Sequence, residues 1–179
     1  MKSTDKLLRD FLKEAARTVF LAIGSDLRAD DAAAIITAKE LLKKKLPENF
    51  HVILGYTAPE NFTGEIKRLA PTHIIICDAA DSGMKAGEIS VVPPAHIGGA
   101  AFSTHSLPVN VFMDYISRSN PCEALILGIQ PANLEFGAKM TPEVRESAVK
   151  LAHVIGEAAS GKTSLRMKTK SGSKRVKKR

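Results

Sequence analysis

Runs of aliphatic and β-branched residues alternate along this chain with segments whose apolar positions recur at helical spacing. The apolar runs predict strands at residues 18–23, 50–54, 73–77, 88–92 and 124–129. The other segments predict helices at residues 4–16, 32–45, 63–69, 105–118 and 142–159. This alternation predicts one three-layer α/β/α sandwich around a twisted, mostly parallel sheet of about five strands. The two short runs at 50–54 and 88–92 are the candidates for edge strands.

The strand predicted at residues 73–77 reads as the most buried of the five. Its apolar residues continue without a polar interruption into Asp78, which is typical of a strand covered on both faces. In open α/β sheets, ligands gather at the carboxyl ends of such strands. A buried acid in that position lowers the stability of the fold, so its presence indicates a functional role. Asp78 is therefore a candidate functional residue, although a simple turn former would also fit.

Two further polar residues are predicted to lie near Asp78. Asp30 and Asp31 stand where the first strand leads into a helix. One aspartate is enough to cap that helix, and we assign this role to Asp30, which leaves Asp31 to project toward Asp78. His105 stands at the predicted start of another helix. Two carboxylates and an imidazole suit a borderline divalent ion such as Ni, Zn or Fe, so the residues alone leave a metal site and an acid–base site open.

The charge is concentrated at one end of the chain. Residues 162–179 contain nine of the 26 Lys and Arg residues and no acid, which leaves 17 basic against 19 acidic residues in residues 1–161. We predict a single domain over 1–161 and a disordered basic tail over 162–179, with a nucleic-acid or acidic-partner arm as the alternative. A nucleic-acid surface across the whole domain is not indicated. No apolar run reaches the roughly 18 residues of a membrane helix, and the first residues lack a signal-peptide core, so we expect a cytoplasmic protein.

Several other motifs are assigned structural roles. Residues 156–163 match the phosphate-binding pattern GxxxxGK[ST], but they follow a helix instead of a strand, so Gly161 is interpreted as the residue that ends that helix. The two cysteines, Cys77 and Cys122, are too few for a disulfide framework, and Cys77 is interpreted as a small buried residue. Three histidines are also expected to be structural, while the role of His96 is left open; the three are His51, His73 and His153.

Five motifs in order carry a resemblance to a known family. They are AIGSDLRADD (22–31), TAPEN (57–61), CDAADSG (77–83), STHSLP (103–108) and LGIQP (127–131). Together they resemble the hydrogenase maturation endopeptidases, and most closely the hydrogenase-3 (HycI-type) branch. The likeness spans about residues 18–157.

The resemblance implies a fold, an activity and a set of site residues. The fold is a twisted sheet between helices, and the activity is removal of a C-terminal extension from the large subunit of a nickel–iron hydrogenase after nickel insertion. The nickel ligands would be Asp31, Asp78 and His105, and the first two would also be catalytic. The nickel would arrive with its partner, the large-subunit precursor, and would not be held at rest. Hydrolysis would then use that ion or a carboxylate base to activate water.

One departure from the family pattern separates two functional hypotheses. The family usually follows its acidic pair with Gly-x-Gly, where this chain has residues Ala32, Ala33 and Ala34. We expect the helix to persist, because alanine favours helices, but the close backbone approach of glycine is lost. The alternative to a peptidase is therefore a non-catalytic binding or chaperone protein that recognises the nickel-loaded large subunit. The Gly- and Ala-rich loop at 95–104 is a candidate lid.

Overall fold

The computed structural model describes residues 2–92 and 109–161. Its helices are α1 (Lys2–Lys13), α2 (Ala33–Leu42), α3 (Thr63–Leu69), α4 (Val109–Ser119) and α5 (Pro142–Ala159). Its strands are β1 (Thr18–Ile23), β2 (Phe50–Tyr56), β3 (His73–Ala79), β4 (Ile89–Val92) and β5 (Glu123–Ile129). Single turns of 3-10 helix at Ala29–Ala32 and Pro59–Phe62 precede α2 and α3. His96, His105, the 95–104 loop and the basic tail lie outside the described residues.

The five strands form one sheet in the order β2-β1-β3-β5-β4. The β1–β2, β1–β3 and β3–β5 pairs are parallel, whereas β4 pairs with β5 in the antiparallel sense. The two edges of this sheet are β2 and β4, which are the strands predicted as edge candidates, although β2 proves as long as β3 and β5. The parallel order also brings the carboxyl ends of β1, β3 and β5 to one rim, which we call the C-terminal rim.

Both faces of the sheet are covered by helices. On one face Phe20 and Ile75 pack with the buried side chains of α1, α2 and α5. On the other face Val19 and Ile74 pack with those of α3 and α4. All seven residues of β3 are buried, because this strand has a neighbour on each side and helices above and below. The predicted three-layer α/β/α fold is confirmed.

The structure corrects several predicted boundaries and confirms two local expectations. Helix α1 ends at Lys13, three residues before its predicted end, and strand β2 continues to Tyr56, two residues beyond its predicted end. Strand β3 extends two residues beyond Cys77, because Asp78 and Ala79 still pair with Gly128 and Ile129 of β5. Helix α2 ends at Leu42, three residues before its predicted end. The helix persists through the Ala32–Ala34 replacement, as expected. Gly161 has a φ of +64° immediately after the end of α5, as expected of a residue that terminates a helix.

The N-terminal helix α1 is an integral part of the fold. Leu8 and Leu12 are buried in the same core as α2 and α5, as its amphipathic pattern predicted. Arg9 forms ion pairs with Asp5 at 2.8 Å and with Glu157 of α5 at 3.3 Å. Within residues 2–92 and 109–161, no helix is both long enough and apolar enough to cross a membrane.

Candidate active site

Asp78 lies at the C-terminal rim on the central strand. Ala22 of β1 is aligned with Cys77 of β3, so these two neighbouring strands reach the rim at the same level. The Asp78 side chain is 1% exposed, and its Oδ1 accepts a hydrogen bond of 2.8 Å from the Ala79 amide. Its cross-strand neighbour on β5 is Gly128, which has no side chain. A buried carboxylate therefore stands at the position where α/β sheets gather ligands.

Asp31 is held at the same rim by the turn that follows β1. The Asp31 side chain is 2% exposed, and its Oδ2 accepts a hydrogen bond of 3.0 Å from the Ser25 amide, just beyond the end of β1. Residues of the 3-10 turn that carries Asp31 lie within 8 Å of residues of β3, measured between Cα atoms. The structure thus places Asp31, on the turn that follows β1, and Asp78, at the end of the neighbouring strand β3, at the same rim, while their roles stay predictions.

The N-cap role assigned to Asp30 is wrong. No side-chain hydrogen bond caps α2 or the 3-10 turn before it. The fully buried Asp30 carboxylate instead accepts hydrogen bonds from the amides of Ala132 (2.8 Å), Asn133 (2.9 Å) and Thr141 (2.7 Å), and from the Thr141 hydroxyl (3.1 Å). Asp30 N–H donates in return to the Asn133 carbonyl at 3.0 Å. Asp30 therefore joins the β1–α2 turn to the loop between β5 and α5.

Gly24 lets the β1–α2 turn pack closely against the end of β1. Its φ is +146°, and a Cβ at this position would lie 2.0 Å from the Asp31 carbonyl oxygen. The Gly24 amide also donates to the Tyr56 carbonyl of β2 at 3.0 Å. Ala29 and Tyr56, at the same rim, have positive φ values of 41° and 49°, which are uncommon without glycine. Such backbone conformations concentrate at functional sites.

Gln130 was not predicted as a site residue, yet it organises the loop after β3. Its side chain is 6% exposed, and its Oε1 accepts hydrogen bonds from the amides of Ser82 (2.7 Å) and Met84 (3.2 Å). Its Nε2 donates to Asp81 Oδ1 at 3.1 Å, and this bond lowers the pKa of Asp81. Gln130 directly follows the buried strand β5, which is the same sequence signal that singled out Asp78.

The described residues contain two of the three predicted metal ligands. Asp31 and Asp78 lie at the C-terminal rim, whereas His105 lies outside the described residues, as does the candidate lid at 95–104. Within those described residues, no group of three or more His, Cys, Asp or Glu side chains could hold a metal ion. The two carboxylates offer oxygen donors that a borderline divalent ion accepts together with nitrogen ligands.

Neither thiol of this chain is suited to act as a nucleophile at the rim. Cys77 is fully buried, and burial raises the pKa of its thiol. Burial also raises the pKa of Cys122, which lies at the opposite end of β5. The thiolate is the reactive form of cysteine, so a raised pKa works against nucleophilic chemistry at neutral pH. Carboxylate chemistry is the better match to this site.

His73 is structural, as predicted. It is buried at the end of β3 far from the C-terminal rim, and its ring packs edge-on against Phe11 with 4.8 Å between centroids. Its Nδ1 lies 3.0 Å from the Thr72 hydroxyl. Burial lowers the pKa of His73, which favours the neutral ring that this environment requires.

Comparison with known proteins decides the family. The sequence model of HycI, described as hydrogenase maturation protease, matches residues 36–158. The chain belongs to this family. The match includes Asp78 and begins five residues after Asp31, so the placement of Asp31 rests on the geometry described above. The resemblance drawn from the sequence motifs is confirmed, and so is the expectation of a maturation endopeptidase.

Relatives of this maturation protease support the same conclusion. The hydrogenase 3 maturation protease of Escherichia coli K12 is 33% identical over 130 residues, covering 72% of this chain and 82% of the relative. The crystal structure of the [NiFe] hydrogenase maturation protease HycI from Thermococcus kodakarensis has a TM-score of 0.81 at 27% identity, covering 86% of this chain and 99% of that one. The solution structure of the E. coli endopeptidase HycI has a TM-score of 0.70 at 31% identity, covering 79% and 90%.

Substitution of Gly24 tests the close packing of the maturation protease rim. We expect Gly24→Ala to lower the free energy of unfolding by more than about 2 kcal/mol, because the new Cβ meets a backbone oxygen at 2.0 Å. Gly64→Ala in α3 is the matched control, since a Cβ there meets nothing within 4 Å. Helix propensity predicts that this control is neutral or stabilising by up to about 1 kcal/mol. Urea unfolding measures both, and equal effects would contradict the proposed packing.

Substitution of Asp30 tests its bridging role. Asp30→Ala removes the acceptor of four hydrogen bonds in a buried site, so we expect a loss of at least about 3 kcal/mol in the free energy of unfolding. Asp26→Ala is the control, because Asp26 is 51% exposed and forms only a 3.7 Å ion pair with Lys39. Surface pairs of this kind contribute about 0–1 kcal/mol. A loss at Asp30 no larger than that at Asp26 would contradict the bridging role.

Proposed function

We propose that this maturation protease removes the C-terminal extension of a nickel–iron hydrogenase large subunit after nickel insertion. The observation that carries the proposal is the placement of two buried carboxylates at one rim of the sheet, with Asp78 at the carboxyl end of β3 and Asp31 on the turn that follows the adjacent parallel strand β1. The names of the relatives supply the class of substrate, since they are described as hydrogenase maturation proteases. The precursor of the large subunit is thus the proposed partner.

The carboxylates of Asp31 and Asp78 have two roles in this proposal. The first is recognition: as oxygen donors they bind the nickel carried by the substrate, with His105 as the third ligand implied by the sequence motifs. Because the precursor carries the nickel, coordination of this ion lets the protease distinguish a nickel-loaded precursor from one without nickel. Burial strengthens this reading, because a carboxylate in a site shielded from water interacts more strongly with a cation than one in solvent.

The second role is positioning and proton transfer. With the precursor's metal bound at the rim, the peptide bond to be cut lies beside the carboxylates. A water molecule gives one proton to a carboxylate while its oxygen bonds to the carbonyl carbon. That proton then passes to the leaving amide nitrogen as the carbon–nitrogen bond breaks. The hydrogen bonds of Asp30 and Gln130 fix the surrounding loops beforehand, which reduces the cost of orienting the reacting groups.

The alanine segment at residues 32–34, which favoured a purely binding function, lies in the core. Ala32, Ala33 and Ala34 are 6%, 0% and 0% exposed, and the last two belong to the core on the α2 face of the sheet. The alanines that stand in place of Gly-x-Gly therefore lie in the interior and offer little surface to a substrate. This supports the peptidase over the non-catalytic alternative.

Charge removal at the carboxylates tests the proposed function. We expect Asp31→Asn and Asp78→Asn to slow cleavage of nickel-loaded precursor by at least about 100-fold, since each keeps the side-chain volume and removes a metal ligand and proton acceptor. Mass spectrometry of the large subunit measures cleavage, and thermal unfolding confirms that each variant is folded.

A control variant and two contrary outcomes complete this test of the carboxylates. Asp26→Asn alters an exposed acid of the same turn region and should cleave within twofold of the wild-type rate. Cleavage by both rim variants at the rate of this control would overturn the assignment of Asp31 and Asp78. A wild-type protein that binds nickel-loaded precursor and leaves it intact would establish the non-catalytic alternative.

A further inference from the structure

Two large apolar side chains at the C-terminal rim are exposed without contributing to either core. Phe136 is 74% exposed and Leu27 is 59% exposed, the highest values for large hydrophobic residues within the described ranges. Neither belongs to the clusters that cover the two faces of the sheet. Folding therefore does not account for them. Phenylalanine at such exposure is a common anchor residue of protein interfaces, where aromatic side chains are enriched.

The two residues lie on backbone segments that touch each other. The Gly137 amide donates a hydrogen bond of 2.8 Å to the Leu27 carbonyl, which places the peptide after Phe136 against Leu27. The Arg28 guanidinium donates to the Leu134 carbonyl at 3.2 Å. The backbone segments that carry Leu27 and Phe136 are thus adjacent, and we call these two exposed side chains the apolar platform.

The platform is held in place before any partner binds. The buried Asp30 carboxylate binds the loop that carries Phe136 on both sides of that residue, at Ala132 and Asn133 before it and at Thr141 after it. The Glu135 amide donates to the Asn133 side chain at 2.8 Å, which fixes the residue next to Phe136. Binding to an ordered surface avoids part of the entropic cost of association.

The platform is continuous with the candidate active site. The Leu27 amide donates to the Ser25 hydroxyl at 3.3 Å, and the Ser25 amide donates to the Asp31 carboxylate at 3.0 Å. The Asp31 amide in turn donates to the Arg28 carbonyl at 2.9 Å. Leu27 and Asp31 therefore belong to one hydrogen-bonded turn. A protein segment bound at Asp31 therefore lies next to the surface that carries Leu27.

We propose that the apolar platform is the docking surface for the large-subunit precursor, and that it binds an apolar segment of the precursor next to the bond to be cut. This inference rests on the proposed function, because it takes its occupant from the substrate of that reaction. The platform contributes affinity and the carboxylates contribute chemistry. Removal of the platform is therefore expected to weaken precursor binding and to raise the KM, with kcat unchanged.

The test uses Leu27→Ser, Phe136→Ser and the double variant. Anchor residues of interfaces typically contribute more than a factor of about ten in affinity, so each single change should raise the Kd and the KM for nickel-loaded precursor about tenfold, with kcat within twofold. Leu42→Ser is the matched control, since Leu42 is 55% exposed and lies at the far end of α2 from the rim. This control should leave the Kd and the KM unchanged within twofold.

Binding and cleavage are measured separately, by fluorescence anisotropy of labelled precursor and by mass spectrometry. Loss of precursor binding in the double variant supports the platform, even if the wild-type protein binds without cutting and the peptidase proposal is wrong. Unchanged precursor binding in the double variant overturns the platform, whether or not the wild-type protein cleaves. A double variant that changes only self-association of this chain, seen by sedimentation, overturns it as well.

Discussion

The buried carboxylate of Asp30 is the interaction on which the C-terminal rim depends. It binds three backbone amides and one hydroxyl of the loop between β5 and α5, and these groups would otherwise lose their partner. The same residue precedes Asp31 in the chain, so one side chain joins the turn that carries a candidate active-site group to the loop that carries Phe136. The hydrogen bonds of Asp30 therefore hold both the turn that carries Asp31 and the loop that carries Phe136 in place.

Structural residues lie at the amino ends of the strands, and the candidate active-site residues lie at the carboxyl ends. At the amino ends of the strands, His73 fills the interior, and the exposed Thr72 joins the chain to the segment before β1. At the carboxyl ends, Asp78 stands at the end of β3, Asp31 stands on the turn that follows the neighbouring strand β1, and Gln130 secures the loop after β3. The thiol of Cys77 lies one residue before Asp78 but is part of the core, and its raised pKa keeps it protonated. The rim thus presents carboxylates held by a network of hydrogen bonds above an apolar core.

Sequence patterns predicted the parts of the molecule that depend on local order. The apolar run before Asp78 indicated the central strand, because burial on both faces gives an uninterrupted apolar run, and the two shorter runs coincided with the edges. The role of Asp30 was misassigned because its partners lie 102 to 111 residues further along the chain and are mostly backbone amides, which carry no side-chain signal. Gln130 was missed although it directly follows β5, because its partners lie 46 to 49 residues away and no neighbouring residue in the sequence indicates them. The placement of His105 lies outside the described residues and stays a prediction.

The central claim is that Asp31 and Asp78 act on the same group of the substrate, and a double-mutant cycle tests it most directly. Cleavage of nickel-loaded precursor is measured for Asp31→Asn, Asp78→Asn and the double variant. Residues that act as a unit lose function together, so we predict that the double variant is about as slow as the slower single variant. Rate losses that multiply, from about 100-fold for each single change to about 10,000-fold for both, would show two independent groups and contradict the claim.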